Sequence, residues 1–401
     1  GFNFSGNVRH YYIAAEEITW DYAPTGWDNW LGVPLNVSPR AEAAGYLDYG
    51  TKWQKAVYRG YTDETYSTRL LQPVWQGIQG PTIRSEVGDM IEILFVNKLR
   101  HHYASMHSMG LAYSKDNEGA DYPNVTSQSS QATIARGDAV TPGGCVVYKW
   151  IVPDSAAPPP GELANMHSYH SYVSMPEDQN AGLVGPQMTY QRGMMNHTMS
   201  THREIPLLYM HMDEAKSFLA ETNAHILRQG HPPVNHNSTH LTLSGMQHHG
   251  NQSFWRPQLV NLASAQGFTD APQFYSMNGW VFANNPTFEM CLNEKVIWYV
   301  YGKCTFIFAQ SPRSPLTLLV PTAYGSASHV FHMHGNGFQF HGVNKATQGL
   351  NDGNMAALYM NATGKGLWQV ICHVNNHVAK GMVSNYWVMT DNCPAINPGS
   401  S

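Results

Sequence analysis

A thiol, an imidazole and a thioether recur at five-residue steps in one short run, Cys372, His377 and Met382, with His373 directly after the thiol. This set matches a type 1 copper centre, which uses two imidazoles and a thiolate in one plane with a long axial methionine. Soft sulfur holds Cu(I), while imidazole accepts both oxidation states. The second imidazole must come from elsewhere in the chain, and the run 328–338 offers His329, His332 and His334 at i, i+3 and i+5. Each histidine alone reads as an ordinary core or surface residue. A Cys-x4-His-x4-Met run downstream of a His-x2-His-x-His run has few explanations other than copper.

Groups so far apart in sequence must be brought together by the elements that carry them. The runs 90–96, 145–152, 295–301 and 385–389 are β-branched or aromatic and bounded by Gly, Pro, Asn or Asp, which predicts strands. Helical periodicity is scarce, and only 214–223 suggests a short helix. Short strands and turns over about 190 residues per half predict an all-β chain of β-sandwiches. Thr141-Pro-Gly-Gly144 reads as a hairpin entry, and Pro158, Pro159 and Pro160 as a stiff loop. The run 194–202 lacks both periodicities and predicts a linker between a domain at 1–193 and a domain at 203–401. The polar stretch 225–251 reads as an inserted loop.

Composition narrows the class. A formal charge of −5 with 13% charged residues lacks the basic footprint of a nucleic-acid binder. The 21 His and 19 Met add mild support for copper, since both also serve as ordinary surface and gap-filling residues. No apolar run of about 18 residues suggests a membrane span. No charged-then-apolar leader opens the chain, so the numbering is expected to begin after signal-peptide removal. With Cys372 set aside as a ligand, Cys145, Cys291, Cys304 and Cys393 allow three pairings between which spacing alone does not choose.

The runs His-x2-His-x-His-Gly and Cys-His-x3-His-x4-Met resemble the C-terminal copper motifs of multicopper oxidases, in particular those of the ceruloplasmin and hephaestin type. The resemblance extends along nearly the whole chain in the family's order, through the motifs at 61–66, 73–77, 80–89, 118–123, 169–171, 182–186, 203–204 and 276–279. It implies two cupredoxin-like Greek-key domains, of which only the second holds type 1 copper, on His329, Cys372, His377 and Met382. It also implies that 8–17 is the opening strand and that Cys291 pairs with Cys393. The family's first-domain disulfide is missing, with Ala164 and Tyr190 in its place, so Cys145 and Cys304 either bridge the domains or remain two buried thiols. Seven sequons, at Asn3, Asn36, Asn124, Asn196, Asn237, Asn251 and Asn361, in a chain resembling secreted glycoproteins, imply the secretory route, an extracellular protein and surface loops at those positions.

Working members of the family reduce dioxygen at a three-copper cluster held by eight imidazoles in four pairs. Here His107-Ser-Met109 and His170-Ser-Tyr172 each keep one histidine, His332 and His334 are both present, and Ile371-Cys372-His373 keeps one. By analogy, the type 2 copper would take His107 and His332. One type 3 copper would keep His170 and His373 with Met109 as a possible soft ligand. The other would keep only His334, since Ile offers no donor and a neutral Tyr is a poor one. The family's electron path would run from Cys372 through His373. Asn376 stands where ceruloplasmin-like ferroxidases carry an Asp that helps hold Fe(II), which weakens a ferroxidase reading.

Two domains do not complete a ceruloplasmin-like ring of three pairs, whereas three identical chains would. A homotrimer is expected, with His107 and His170 of one subunit facing His332, His334 and His373 of the next. The sequence therefore reads as a secreted copper protein for electron transfer or copper binding, with an intact type 1 site and a degenerate trinuclear site. A copper-dependent oxidase of metal ions or small phenols or amines, and a structural or storage glycoprotein, are the alternatives.

Overall fold

The computed structural model describes residues 4–121, 137–228, 246–249, 252–255, 271–303 and 328–396. Asn3, Asn124, Asn237, Asn251 and Cys304 lie outside them. Strands outnumber helices among the described residues, and as expected they form two β-sandwiches.

In the first sandwich, Val8–Asp21 pairs antiparallel with Lys52–Tyr61 and parallel with Met90–Asn97, which pairs in turn with Cys145–Ile151. Met90–Asn97 alternates half-buried and buried at every position, the period of a strand with one face on a core. The facing sheet runs Ile83–Glu86, Val184–Tyr190, Ala164–His170, His107–Met109. Ile91, Ile93 and Phe95 from one sheet meet Ile83 and Tyr169 from the other.

The second sandwich packs a six-stranded sheet centred on Lys295–Lys303 and Met355–Asn361 against a five-stranded one. The five-stranded sheet is ordered Phe288–Cys291, Val383–Met389, Gly366–Cys372, Ser328–Met333, Thr347–Asn351. A disulfide joins Cys291 to Cys393.

The two sandwiches share a core. Tyr22, Trp53 and Ile78 are buried with Met210, Phe274 and Tyr301, and the Tyr22 ring stacks on Phe274 with centroids 3.8 Å apart. An ion pair is sealed in the same seam. Lys55 Nζ donates to Glu214 Oε1 at 2.7 Å, with both side chains 0% exposed, and Tyr22 Oη donates to the same carboxylate. Burial pushes the Glu214 carboxyl up and the Lys55 ammonium down from their usual ranges. Their mutual attraction opposes both shifts.

Some local expectations change. The run expected as a linker is a helix at Met195–Thr201, where Thr198 Oγ1 bonds back to the Met194 carbonyl. The helix expected at 214–223 splits into a single turn at Glu214–Lys216 and a helix at Ala220–Arg228, because Phe218 and Leu219 between them are drawn into the first sandwich's core. Met246–His249, inside the stretch expected as an inserted loop, pairs with Gln252–Trp255 just beyond it. Asn36, Asn196 and Asn361 are exposed, as glycosylation needs, but they sit in a 3₁₀ turn, a helix and a strand end rather than in loops. Cys145 is exposed with a free thiol rather than buried.

His102 makes the fold acid-sensitive. Its ring is 3% exposed and lies 4.5 Å from that of Phe218, and burial, with the charge on His101, lowers its pKa to about 4. The unfolded chain, titrating near the ordinary value, takes up that proton first. Stability from this group is therefore full above about pH 6.5 and is lost as pH falls toward 4, by on the order of 3 kcal/mol. His102→Gln is expected to flatten the pH dependence of the urea midpoint between pH 7 and 4.5, and an unchanged slope would refute the assignment.

Candidate metal centre

Strand parity places the histidines. Ser328–Met333 alternates half-buried and buried, so His329, Phe331 and Met333 face the core while Val330 and His332 face outward. Phe331 pairs with Cys372, and His332 with Ile371, on the neighbouring strand Gly366–Cys372. Cys372 ends that strand fully buried, and His373 beyond it turns out to solvent. A short helix, Asn375–Ala379, carries His377 back inward. Backbone bonds pin the loop: Cys372 N donates to Met382 O at 3.1 Å and Met382 N to His377 O at 3.0 Å.

His329, Cys372 and His377 consequently converge. Cys372 Sγ lies 3.7 Å from His329 Nδ1 and 3.5 Å from His377 Nδ1, and the two nitrogens are 3.2 Å apart. Among the described residues this is the one group of three that brings its ligating atoms within 4.8 Å of one another. Met382 is buried in the same cluster as Cys372. Gly302 leaves room for the His329 ring, since a Cβ there would sit 3.2 Å from Cδ2. Burial pushes the thiol up to about 11 and the His377 imidazole down to about 4, and pushes His329 well down. The group is therefore neutral, and a bound cation would have to displace the thiol proton. One soft sulfur and two neutral imidazoles fit copper.

The other histidines form two separate groups. The His107 ring lies 5.5 Å from His170 and 5.3 Å from Tyr172, because His107 pairs directly with His170 across two strands. On the second sandwich, His332 lies 5.2 Å from both His334 and His373. Three of these rings share one arrangement. His107, His170 and His332 each place Nδ1 at 2.8–2.9 Å from a backbone carbonyl, of Glu118, Ser171 and Ala346. A carbonyl only accepts, so each Nδ1 carries the proton and each Nε2 keeps its lone pair.

Two residues that sequence reading passed over stand beside these groups. Lys303 Nζ donates to Met109 Sδ at 3.1 Å, and Ser168 Oγ lies 3.6 Å from the same sulfur. The thioether considered as a soft ligand thus already serves an ammonium; burial lowers the pKa of His107 and His170, and the Lys303 charge adds to that. A lysine closing the apolar run 296–301 was the available signal. The second is Tyr275, whose ring lies 4.8 Å from that of His377.

Two facing Greek-key-like sandwiches with a buried His-Cys-His group consistent with type 1 copper define a cupredoxin-type copper protein. The same fold occurs in the copper nitrite reductase of Nitrosomonas europaea, which matches at a TM-score of 0.55 and 11% identity over 98% of each chain. The chain belongs to the multicopper oxidase family, with ceruloplasmin- and hephaestin-like homologues along about 96% of its length. Hephaestin of Mus musculus is 28% identical over 98% of the chain, and the ferroxidase HEPHL1 of Homo sapiens is 30% identical over 96%. The chain spans only 30% and 29% of those two proteins. No protein-family model matches it.

Proposed function

We propose that this protein is a secreted copper glycoprotein of two domains, 1–193 and 203–401, that serves in electron transfer or copper binding, and that His329, Cys372 and His377, with Met382 as the fourth ligand, would hold the copper. The carrying observation is the convergence of three buried, neutral donor atoms within 4.8 Å. Copper bound there supplies reversible one-electron chemistry. The chain's own residues hold the donors fixed and dry: the strand Ser328–Met333 sets His329, and the bonds from Met382 to His377 and Cys372 close the loop.

A second, shared site is part of the same reading, on His107, His170, His332, His334 and His373. Three Nε2 lone pairs held ready for a ligand support it, as does their division into two groups within one chain. Copies arranged as a homotrimer would bring one group to the other. Ile371 offers no donor, and Lys303 occupies the Met109 sulfur, so the coupled pair needed for dioxygen reduction is not provided for. Sedimentation velocity is expected to give a trimer, and hydroquinone is expected to reduce the bound copper(II) by one electron per copper and then stop, without oxygen uptake. A monomer carrying copper only at Cys372 would remove the shared site, and steady oxygen consumption would restore the oxidase reading.

A further inference from the structure

His377 does not meet the outside directly. It is 2% exposed, and the ring lying beside it, 4.8 Å away at 42°, is that of Tyr275, itself 6% exposed. The His211 ring is stacked on that of Tyr275 at 4.4 Å and 16°. The two are direct cross-strand partners on Arg203–Asp213 and Gln273–Met277, and from Leu207 to Asp213 His211 alone is not fully buried.

The stack is held from several sides. His211 Nε2 lies 3.1 Å from Gln273 Oε1, and Gln273 Nε2 donates to Asp213 at 3.2 Å. Tyr275 N donates to Tyr46 Oη at 3.1 Å, while Tyr46 Oη donates to the Lys380 carbonyl at 2.8 Å. The Lys380 ammonium sits 4.8 Å over the Tyr275 ring. A cross-strand aromatic pair fixed by this many bonds is a rigid unit. It joins a half-exposed ring to a buried metal-ligating one.

From this we infer that Tyr275 and His211 form a covered relay, so that an organic electron donor couples to the cluster at the His211 edge and through Tyr275 instead of touching His377. The inference rests on the copper reading of His329, Cys372 and His377. In the step, hydroquinone loses one electron and one proton, the proton passes to water, and the metal held by the cluster is reduced by that electron.

Two measurements test it. In copper-free protein treated with diethyl pyrocarbonate, peptide mass spectrometry should find His211 acylated and His377 protected, with protection lost in Tyr275→Ala. In copper-loaded protein, Tyr275→Leu, which keeps the cover but not the ring, should slow reduction by hydroquinone by about tenfold or more at unchanged copper content, and Tyr275→Phe should restore it. Acylation of His377 as fast as His211 in the wild type, or a Tyr275→Leu protein reduced at the wild-type rate, would overturn the relay. Failure of the wild type to take up copper would instead sink the metal reading, and the acylation result would still decide whether Tyr275 covers His377.

Discussion

Cys372→Ser is expected to lose about one copper equivalent per chain together with all thiolate-derived visible absorption, while far-ultraviolet circular dichroism stays that of a β protein. The serine hydroxyl is a hard donor that keeps its proton, so the cluster is left with two neutral imidazoles and no soft ligand. The cost to the metal-free fold is smaller. Cys372 is fully buried among Phe331, Val370 and Met382, but a hydroxyl there has the imidazole nitrogens of His329 and His377 beside it, so burying it costs about 1–2 kcal/mol. Metal analysis separates the two effects: a folded, colourless protein without that copper is the expected result, and a Cys372→Ser protein that kept its colour would put the thiolate elsewhere.

Lys55→Met is expected to lower stability by about 3–5 kcal/mol, since it strands the Glu214 carboxylate in the seam between the sandwiches with the Tyr22 hydroxyl still donating to Oε1. Glu214 Oε2 already has no hydrogen-bond partner among the described residues. The double variant Lys55→Met/Glu214→Leu should recover most of the loss, because removing both charges also removes their desolvation. Urea unfolding of the three proteins checks this. Equal destabilisation of the single and double variants would mean that the seam depends on side-chain shape at these positions and not on charge pairing.

The local parts of the account were legible in the sequence. Cys372, His377 and Met382 lie within one short connection between neighbouring strands, where spacing itself constrains geometry, and the strands at Met90–Asn97 and Lys295–Lys303 announce themselves through β-branched and aromatic runs. Period-two alternation explains why His329 turns inward and His332 outward, three residues apart on one strand. Contacts between distant stretches were not legible. Nothing near Met109 in sequence indicates that Lys303 reaches its sulfur, and nothing near His377 indicates that Tyr275 lies against it. The helix at Met195–Thr201 was hidden for a different reason: a seven-residue run of Met, Asn, His, Thr and Ser has weak propensity, and its form depends on capping and packing in the folded chain.

The most direct measurement is the optical and electron spin resonance spectrum of the wild-type protein loaded with copper. The arrangement of His329, Cys372 and His377 predicts intense visible absorption and a type 1 copper(II) signal, both bleached by a reductant. A loaded protein that stayed colourless, with the Cys372 thiol still open to alkylation after unfolding in the presence of copper, would contradict it.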